Sequence, residues 1–100
     1  MEYEPYPLDV AILRLLPEEG SKLGYHHIAA TAKALKSVLF ARDPTVTSAA
    51  INGRLRTLKA VGLVMSVRVL PAGGGAGWQV TQRGRDVALD NLHLLNEEER

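Results

Sequence analysis

A chain of 100 residues, 46% of them apolar, has room for one domain with its own core and is too apolar for general disorder. The sequence contains no cysteine, which excludes disulfides and thiolate metal sites. The net charge of +1 conceals a basic middle segment, because residues 22–85 carry ten Lys or Arg and only one acid, Asp43. This distribution favours a polyanionic partner over the alternative, a solvated basic face paired with the acidic ends.

The N-terminal segment predicts an arm followed by a short helix. Residues 1–7 hold two Pro and two Tyr and predict an extended arm. Residues 8–16 predict an apolar helix that Pro17 ends, and a turn over residues 18–22 leads to a single strand residue, Leu23. The acidic start does not resemble a signal peptide, and no run approaches the roughly 18 apolar residues of a membrane span. We therefore expect a cytoplasmic protein without a membrane partner.

A second helix is predicted over residues 25–41, because apolar residues recur at helical spacing and several alanines raise the helix propensity. Asp43 and Pro44 end this helix, since a residue that precedes proline disfavours the helical conformation. The predicted apolar stripe consists of Ile28, Ala32, Leu35 and Leu39.

A third helix is predicted over residues 47–61, and the rest of the chain is organised around it. Thr47 is the predicted N-cap, and Val46 and Ile51 occupy the two positions of a hydrophobic staple. Gly62 ends the helix, because glycine adopts the left-handed conformation without steric cost. The apolar stripe of this helix consists of Ile51, Leu55, Leu58 and Val61.

The C-terminal part predicts a hairpin and a last helix. Residues 63–70 alternate around β-branched side chains and predict a strand, and residues 78–81 predict the returning strand. The glycine-rich loop 71–77 between them lacks the motif of a phosphate-binding loop and predicts a flexible hairpin tip. A helix is predicted from the cap Thr81 to Leu95, with Gly84, Ala88, Leu92 and Leu95 on one face.

The predicted fold is mainly α with a small β-hairpin, in the order helix, helix, helix, hairpin, helix. This order is that of the winged helix-turn-helix proteins, and three segments resemble that family. Leu55-x-x-Leu58-x-x-x-Gly62-Leu63-Val64 resembles the end of its recognition helix, and WQVTQRGR at residues 78–85 resembles its second wing strand and the start of its last helix. LGYHHI at residues 23–28 resembles the opening of the second helix in PadR-type regulators, and the MarR type is similar in outline.

The resemblance covers residues 8–95, with residues 1–7 as an arm and residues 96–100 as a charged tail. It implies a transcriptional regulator that binds double-stranded DNA. The chain departs from the family between the second and third helices, where KSVLFARDP separates Leu35 from Thr45. A usual helix-turn-helix has a turn of three or four residues there, so either this connection is long or the second helix is extended.

The face of the third helix opposite its apolar stripe carries small residues and donors but no acid, which suits insertion into the major groove. Asn52 is able to bond adenine bidentately, and Arg56, one turn further on, guanine. Gly53 costs a helix interior about 1 kcal/mol relative to Ala, which favours a close approach of DNA over an ordinary solvated face. Arg54 lies on the flank of the stripe and is expected to snorkel or to pair internally. The predicted base contacts are Ser48, Ala49, Asn52, Gly53 and Arg56.

Cations around this helix predict contacts to phosphates, which set affinity and salt dependence and not sequence preference. Each of them is equally well explained as a solvated surface charge. The predicted phosphate contacts are Lys33, Lys36, Arg42, Lys59 and Arg68.

A wide apolar arc on the last helix predicts a homodimer, which would place two recognition helices in successive major grooves. The alternative is a last helix packed on its own domain with one exposed leucine. The predicted dimer face consists of Val87, Leu89, Leu92 and Leu95.

The sequence favours a binding protein and not an enzyme. Asp43 is the only acid in the basic middle, which disfavours paired-carboxylate catalysis, and the sequence suggests no Ser-His-Asp arrangement. His26 and His27 are adjacent and so do not share one metal site, and we expect neither metal nor cofactor. The alternative function is a winged-helix protein-interaction module that does not bind DNA, since a fold does not fix a function.

Overall fold

The fold is mostly helical, as predicted. A computed structural model describes residues 3–23, 26–27, 29–68 and 76–98 of the chain. Within these ranges it contains five helices and two two-stranded antiparallel sheets, and the longer of these is a hairpin compatible with a winged fold. The elements are α1 (Pro7–Leu15), β1 (Lys22–Leu23), β2 (His26–His27), α2 (Ala32–Arg42), α3 (Ser48–Ala60), β3 (Val64–Arg68), β4 (Ala76–Val80), α4 (Gln82–Asp90) and α5 (His93–Glu98).

One hydrophobic core joins the helices to the base of the β3–β4 hairpin. The predicted stripe of α3 is its centre: Ile51, Leu55 and Leu58 have no exposed surface, and Val61 packs against them. The periodicity of the sequence therefore identified the buried side of α3. The other core residues are Val10, Ile12, Leu13, Leu16, Leu35, Leu39, Leu63, Val64, Val80 and Ala88.

The β3–β4 hairpin is held to the helical body by backbone hydrogen bonds on the second edge of β4. On its first edge β4 pairs with β3 in antiparallel register, from Val64 opposite Val80 to Arg68 opposite Ala76. On the other edge, the Trp78 N–H donates to the Ala30 carbonyl at 2.9 Å, and the Val80 N–H donates to the carbonyl of Pro17 at 2.8 Å. The hairpin base is therefore fixed in position relative to α2 and α1. The predicted tip, residues 71–77, lies mostly outside the described residues.

The predicted start of the second helix at residue 25 is wrong. His26–His27 forms β2, which pairs with β1, and α2 begins only at Ala32. Ala30 is held extended by its two hydrogen bonds to the backbone of Trp78, a partner far along the chain that local helix propensity does not reveal. Thr31 then caps α2, because its Oγ1 accepts from the Ala34 N–H at 3.1 Å.

The predicted single helix from Thr81 to Leu95 is two helices. Thr81 does cap α4, through its Oγ1 and the Gly84 N–H, but the helix stops at Asn91. The Asn91 Nδ2 donates to the Val87 carbonyl at 2.7 Å and so satisfies a carbonyl that the helix end leaves open. Neither half, nor any other helix in the described ranges, combines the length and apolar character needed to cross a membrane.

The connection between α2 and α3 resolves the departure found in the sequence. The second helix is extended to Arg42, and only residues 43–47 link it to α3. The Asp43 carboxylate accepts from the Thr45 N–H at 3.0 Å and from the Thr45 hydroxyl at 2.6 Å. These two bonds hold the pKa of Asp43 below its usual value. The linker is therefore a short turn organised by its own side chains.

Candidate nucleic-acid interface

One side of α3 is open to solvent along its whole length. We call this side the outer face; it lies opposite Ile51, Leu55 and Leu58, which are fully buried. All six of its residues are exposed, and two of them are cationic while none is acidic. The outer face contains all five predicted base contacts and one predicted phosphate contact: Ser48, Ala49, Asn52, Gly53, Arg56 and Lys59.

Both ends of α3 are fixed as the sequence predicted. The Thr47 Oγ1 accepts from the Ala50 N–H at 3.1 Å, and Val46 packs against the core cluster to which Ile51 belongs. At the other end Gly62 has φ of +82°, the left-handed conformation that ends a helix, and the Leu63 N–H donates to the Leu58 carbonyl at 2.9 Å. The direction of the outer face is therefore set by the core and by two caps.

Gly53 has no packing reason to be a glycine. Beyond the backbone of α3 itself, a Cβ added there would meet no atom of the described residues within 4 Å. The helix does not need the conformational freedom of glycine either, because the positive-φ glycines of the described residues are Gly20 and Gly62. Glycine at this exposed position therefore destabilises the helix relative to alanine, and no contact of the described residues offsets that loss.

A groove between α2 and α3 joins the outer face to two predicted phosphate contacts. Its α3 wall includes Ser48 and Asn52, and its α2 wall carries Lys33, which is exposed, and Lys36, which is half-buried. The two lysines are three residues apart and so share one side of α2. The remaining lining residues are Ala32, Ser37 and Phe40.

The other predicted cations do not join this groove. Arg42 is exposed but borders a different cavity, between α1, α2 and the C-terminal end of the domain, with Leu8 and Leu95. The backbone of Arg68 pairs with Ala76 at the far end of β3, and its side chain lies outside what the structure describes. The lysines of α2 are therefore the cations that the structure brings next to Ser48 and Asn52.

Arg54 pairs inside the protein, which is one of the two arrangements that the sequence predicts for it, the other being a snorkelling side chain. Its Nε donates to Asp9 Oδ1 at 2.6 Å and its Nη2 to Oδ2 at 2.7 Å, a bidentate pair with a carboxylate that has no exposed surface. Hydrogen bonding to Asp9 raises the pKa of Arg54 further. Its guanidinium also lies 4.6 Å from the centre of the Tyr6 ring.

Two residues of the N-terminal arm also donate hydrogen bonds to the Asp9 carboxylate. The Tyr3 hydroxyl donates to Oδ2 at 2.7 Å and the Tyr6 backbone N–H donates to the same oxygen at 3.1 Å. Burial, together with the bond to Asp9, raises the pKa of Tyr3 above its usual value, so the hydroxyl stays a donor. This cluster ties α3 to α1 and to the arm from the side away from the outer face.

The predicted dimer face divides between the core and the surface. Val87 and Leu95 pack against the domain's own core, and Leu92 is half-buried. Leu89 is 67% exposed, the largest exposure among the large apolar side chains that the structure describes. The break at Asn91 accounts for part of the wide apolar arc, because α5 turns Leu94 and Leu95 back onto the core.

Sequence reasoning missed two residues near this site. The first is Asp9, whose partner Arg54 stands 45 positions away, so no local pattern connects them. Phe40 follows the buried Leu39 and falls off the α2 stripe, a helical-wheel signal that would have marked it as an exposed aromatic residue. No protein-family model matches the sequence, and no curated protein matches it either.

Proposed function

We propose that this chain is a winged helix-turn-helix transcriptional regulator that binds double-stranded DNA sequence-specifically. The outer face of α3 lies in the major groove, and the β3–β4 hairpin is the wing beside it. The observation that carries the proposal is the outer face itself, which is exposed, rigidly positioned and free of acids. The segments 55–64 and 78–85, which resemble the winged helix-turn-helix proteins, point the same way, whereas the PadR-type resemblance of residues 23–28 does not, because His26–His27 is a strand and does not open a helix.

The charge distribution supports a polyanionic partner for this side of the domain. Residues 44–85 contain no acid at all. Arg54 is neutralised internally by Asp9, which leaves Arg56 and Lys59 on α3, with Lys33 and Lys36 across the groove, to meet phosphates and bases.

Gly53 supports the same partner on steric grounds. Since no other element in the described part of the chain occupies the space beside it, the absence of a side chain benefits a molecule that approaches α3 from outside. A DNA backbone or base edge lying close to the helix axis is such a molecule.

A homodimer through the C-terminal helices is part of the proposal. Leu89 is the residue that supports it, because a leucine exposed to this extent on α4 gains by burial against a second copy. A two-fold dimer would present two copies of α3 to successive major grooves. The same leucine favours the alternative, an interaction module that binds another protein and not DNA.

Replacing Arg56 with Ala is expected to weaken binding to a cognate duplex by about 1–3 kcal/mol, because a bidentate contact to guanine is lost. The duplex is first selected from a random pool with the wild-type protein, and affinities are then measured by fluorescence anisotropy at several salt concentrations. The logarithm of the association constant should fall linearly with the logarithm of the salt concentration, with a slope of about −0.9 for each phosphate contacted. The stoichiometry of the same titration gives the number of chains per duplex.

Arg14→Ala is the matched control for this prediction, since it removes the same charge from an exposed position on α1. It should leave the preference for the selected sequence unchanged. If Arg56→Ala and the wild type bind the selected duplex equally well, Arg56 does not contact bases. If no duplex binds at low salt, the interaction module takes the place of the DNA-binding regulator.

Replacing Gly53 with Ala is expected to change stability and DNA binding in opposite directions. Removing glycine from a helix interior should raise the free energy of unfolding by about 0.5–1 kcal/mol, since the new methyl group collides with none of the described residues. The same methyl group should weaken binding to the selected duplex. Urea unfolding and the anisotropy titration measure the two effects, and unchanged DNA affinity would remove the close approach at Gly53 from the proposal.

A further inference from the structure

An aromatic ring stands in the groove between α2 and α3 without being part of the core. Phe40 is the only phenylalanine of the chain, and it is 48% exposed although its neighbour Leu39 is buried. It lines the same groove as Lys33 and Lys36 on α2 and as Ser48 and Asn52 on α3. Its place near the end of α2 is close to the start of α3, because only residues 43–47 connect the two helices.

We infer that Phe40 is a specificity residue that contacts the 5-methyl group of a thymine at or beside the A·T pair recognised by Asn52. This inference rests on the proposed function and extends it from α3 to α2. Asn52 has the amide geometry that pairs with adenine, and the thymine opposite that adenine presents its methyl group in the same major groove. The groove brings Phe40 and Asn52 to one surface.

The surroundings of Phe40 favour DNA as the occupant of the groove over an apolar peptide. Two lysines stand on the same wall, and Asn52 and Ser48 supply donors and acceptors on the other wall. An apolar helix docking here would have to desolvate these groups without charged partners. A duplex offers phosphates to the lysines, base edges to Asn52 and a methyl group to the ring.

The test replaces single thymines of the selected duplex with deoxyuridine, which removes the methyl group and leaves base pairing intact. Burial of one methyl group is worth a factor of about four in affinity. One thymine position should therefore show a loss of about fourfold with the wild-type protein, and this loss should disappear in Phe40→Ala. That position should lie at or next to the base pair where Asn52→Ala relaxes the base preference.

Val38→Ala is the control, because Val38 is equally exposed at 47% on the same helix but does not line the groove. It should keep the discrimination between thymine and uracil. Equal affinity for thymine and uracil at every position, or discrimination that survives in Phe40→Ala, would overturn the inference and leave DNA binding standing. Duplexes in which 5-methylcytosine replaces cytosine test whether the ring contacts a methyl group on cytosine instead. Tighter binding to such a duplex, without any loss of affinity on replacing thymine with deoxyuridine, would overturn the assignment to thymine. A chain that binds no duplex overturns the proposed function and this inference with it.

Discussion

Replacing Arg54 with Met is expected to lower the free energy of unfolding by about 3–5 kcal/mol, the cost of leaving a buried charge without its partner. The Asp9 carboxylate has no exposed surface, and Arg54 supplies the only cation among its hydrogen-bond donors in the described residues. Methionine is able to occupy the space of the arginine stem but donates nothing. Urea unfolding followed by circular dichroism measures the effect as a lower midpoint at an unchanged m-value.

The second variant for this experiment is Asp9→Asn combined with Arg54→Met. The asparagine amide is neutral and still offers one oxygen to the Tyr6 N–H and the Tyr3 hydroxyl. The double variant should therefore be more stable than Arg54→Met alone, which a double-mutant cycle shows as a coupling energy. Arg56→Met on the outer face is the control, with an expected change within about 0.5 kcal/mol. A loss of equal size in Arg54→Met and Arg56→Met would mean that the ion pair does not stabilise the fold.

The two arginines of α3 have opposite surroundings, one inside the protein and one on its surface. Arg54 faces the buried carboxylate of Asp9 on one side, while Arg56, two residues later, lies on the exposed outer face. Successive residues on a helix are about 100° apart, so a spacing of two places side chains on nearly opposite sides. The sequence alone distinguished them, because Arg54 fell on the flank of the apolar stripe.

Local patterns predicted the parts of the fold that local interactions determine. The N-cap Thr47, the stripe of α3 and the end at Gly62 were all derived from residues within one or two turns of each other. The start of α2 was not predicted correctly, because Ala30 is extended through pairing with Trp78. Thr31 did carry a local signal for the true start, since threonine is a favoured N-cap, but the surrounding alanines outweighed it.

The candidate site also has one part that local patterns predict, the outer face, and one part that they do not, the groove between α2 and α3. The exposed positions of the outer face follow from helical periodicity, and their exposure confirms that geometry without testing what they bind. The groove depends on the packing angle between α2 and α3, which no residue pattern within one helix encodes. No pattern within one helix therefore places Phe40 in one groove with Asn52, and none shows that Arg42 borders a different cavity from Lys33 and Lys36.

The junction between α3 and the β3–β4 hairpin depends on Gly84, which packs the start of α4 against the backbone of Leu63. A Cβ at Gly84 would collide with the Leu63 carbonyl oxygen and would lie 2.7 Å from Val80 Cγ2. That carbonyl already accepts from the Thr81 N–H at 3.0 Å, and the Thr81 hydroxyl donates to the Gly62 carbonyl at 2.8 Å. The carbonyl is therefore not free to move away without breaking the contacts that follow Gly62.

Replacing Gly84 with Ala is accordingly expected to destabilise the protein by about 3 kcal/mol, the upper end of the usual cost of overpacking. The helical preference for alanine, which alone would stabilise α4, is too small to compensate for a backbone collision. Gly53→Ala is the matched control, because the same substitution in another helix interior meets nothing and should stabilise. Urea midpoints that shift in opposite directions would show that the two glycines serve different purposes, one facing the core and one facing outward. A Gly84→Ala protein as stable as the wild type would mean that α4 is free to move off Leu63 and that the close contact at Gly84 does not stabilise the fold.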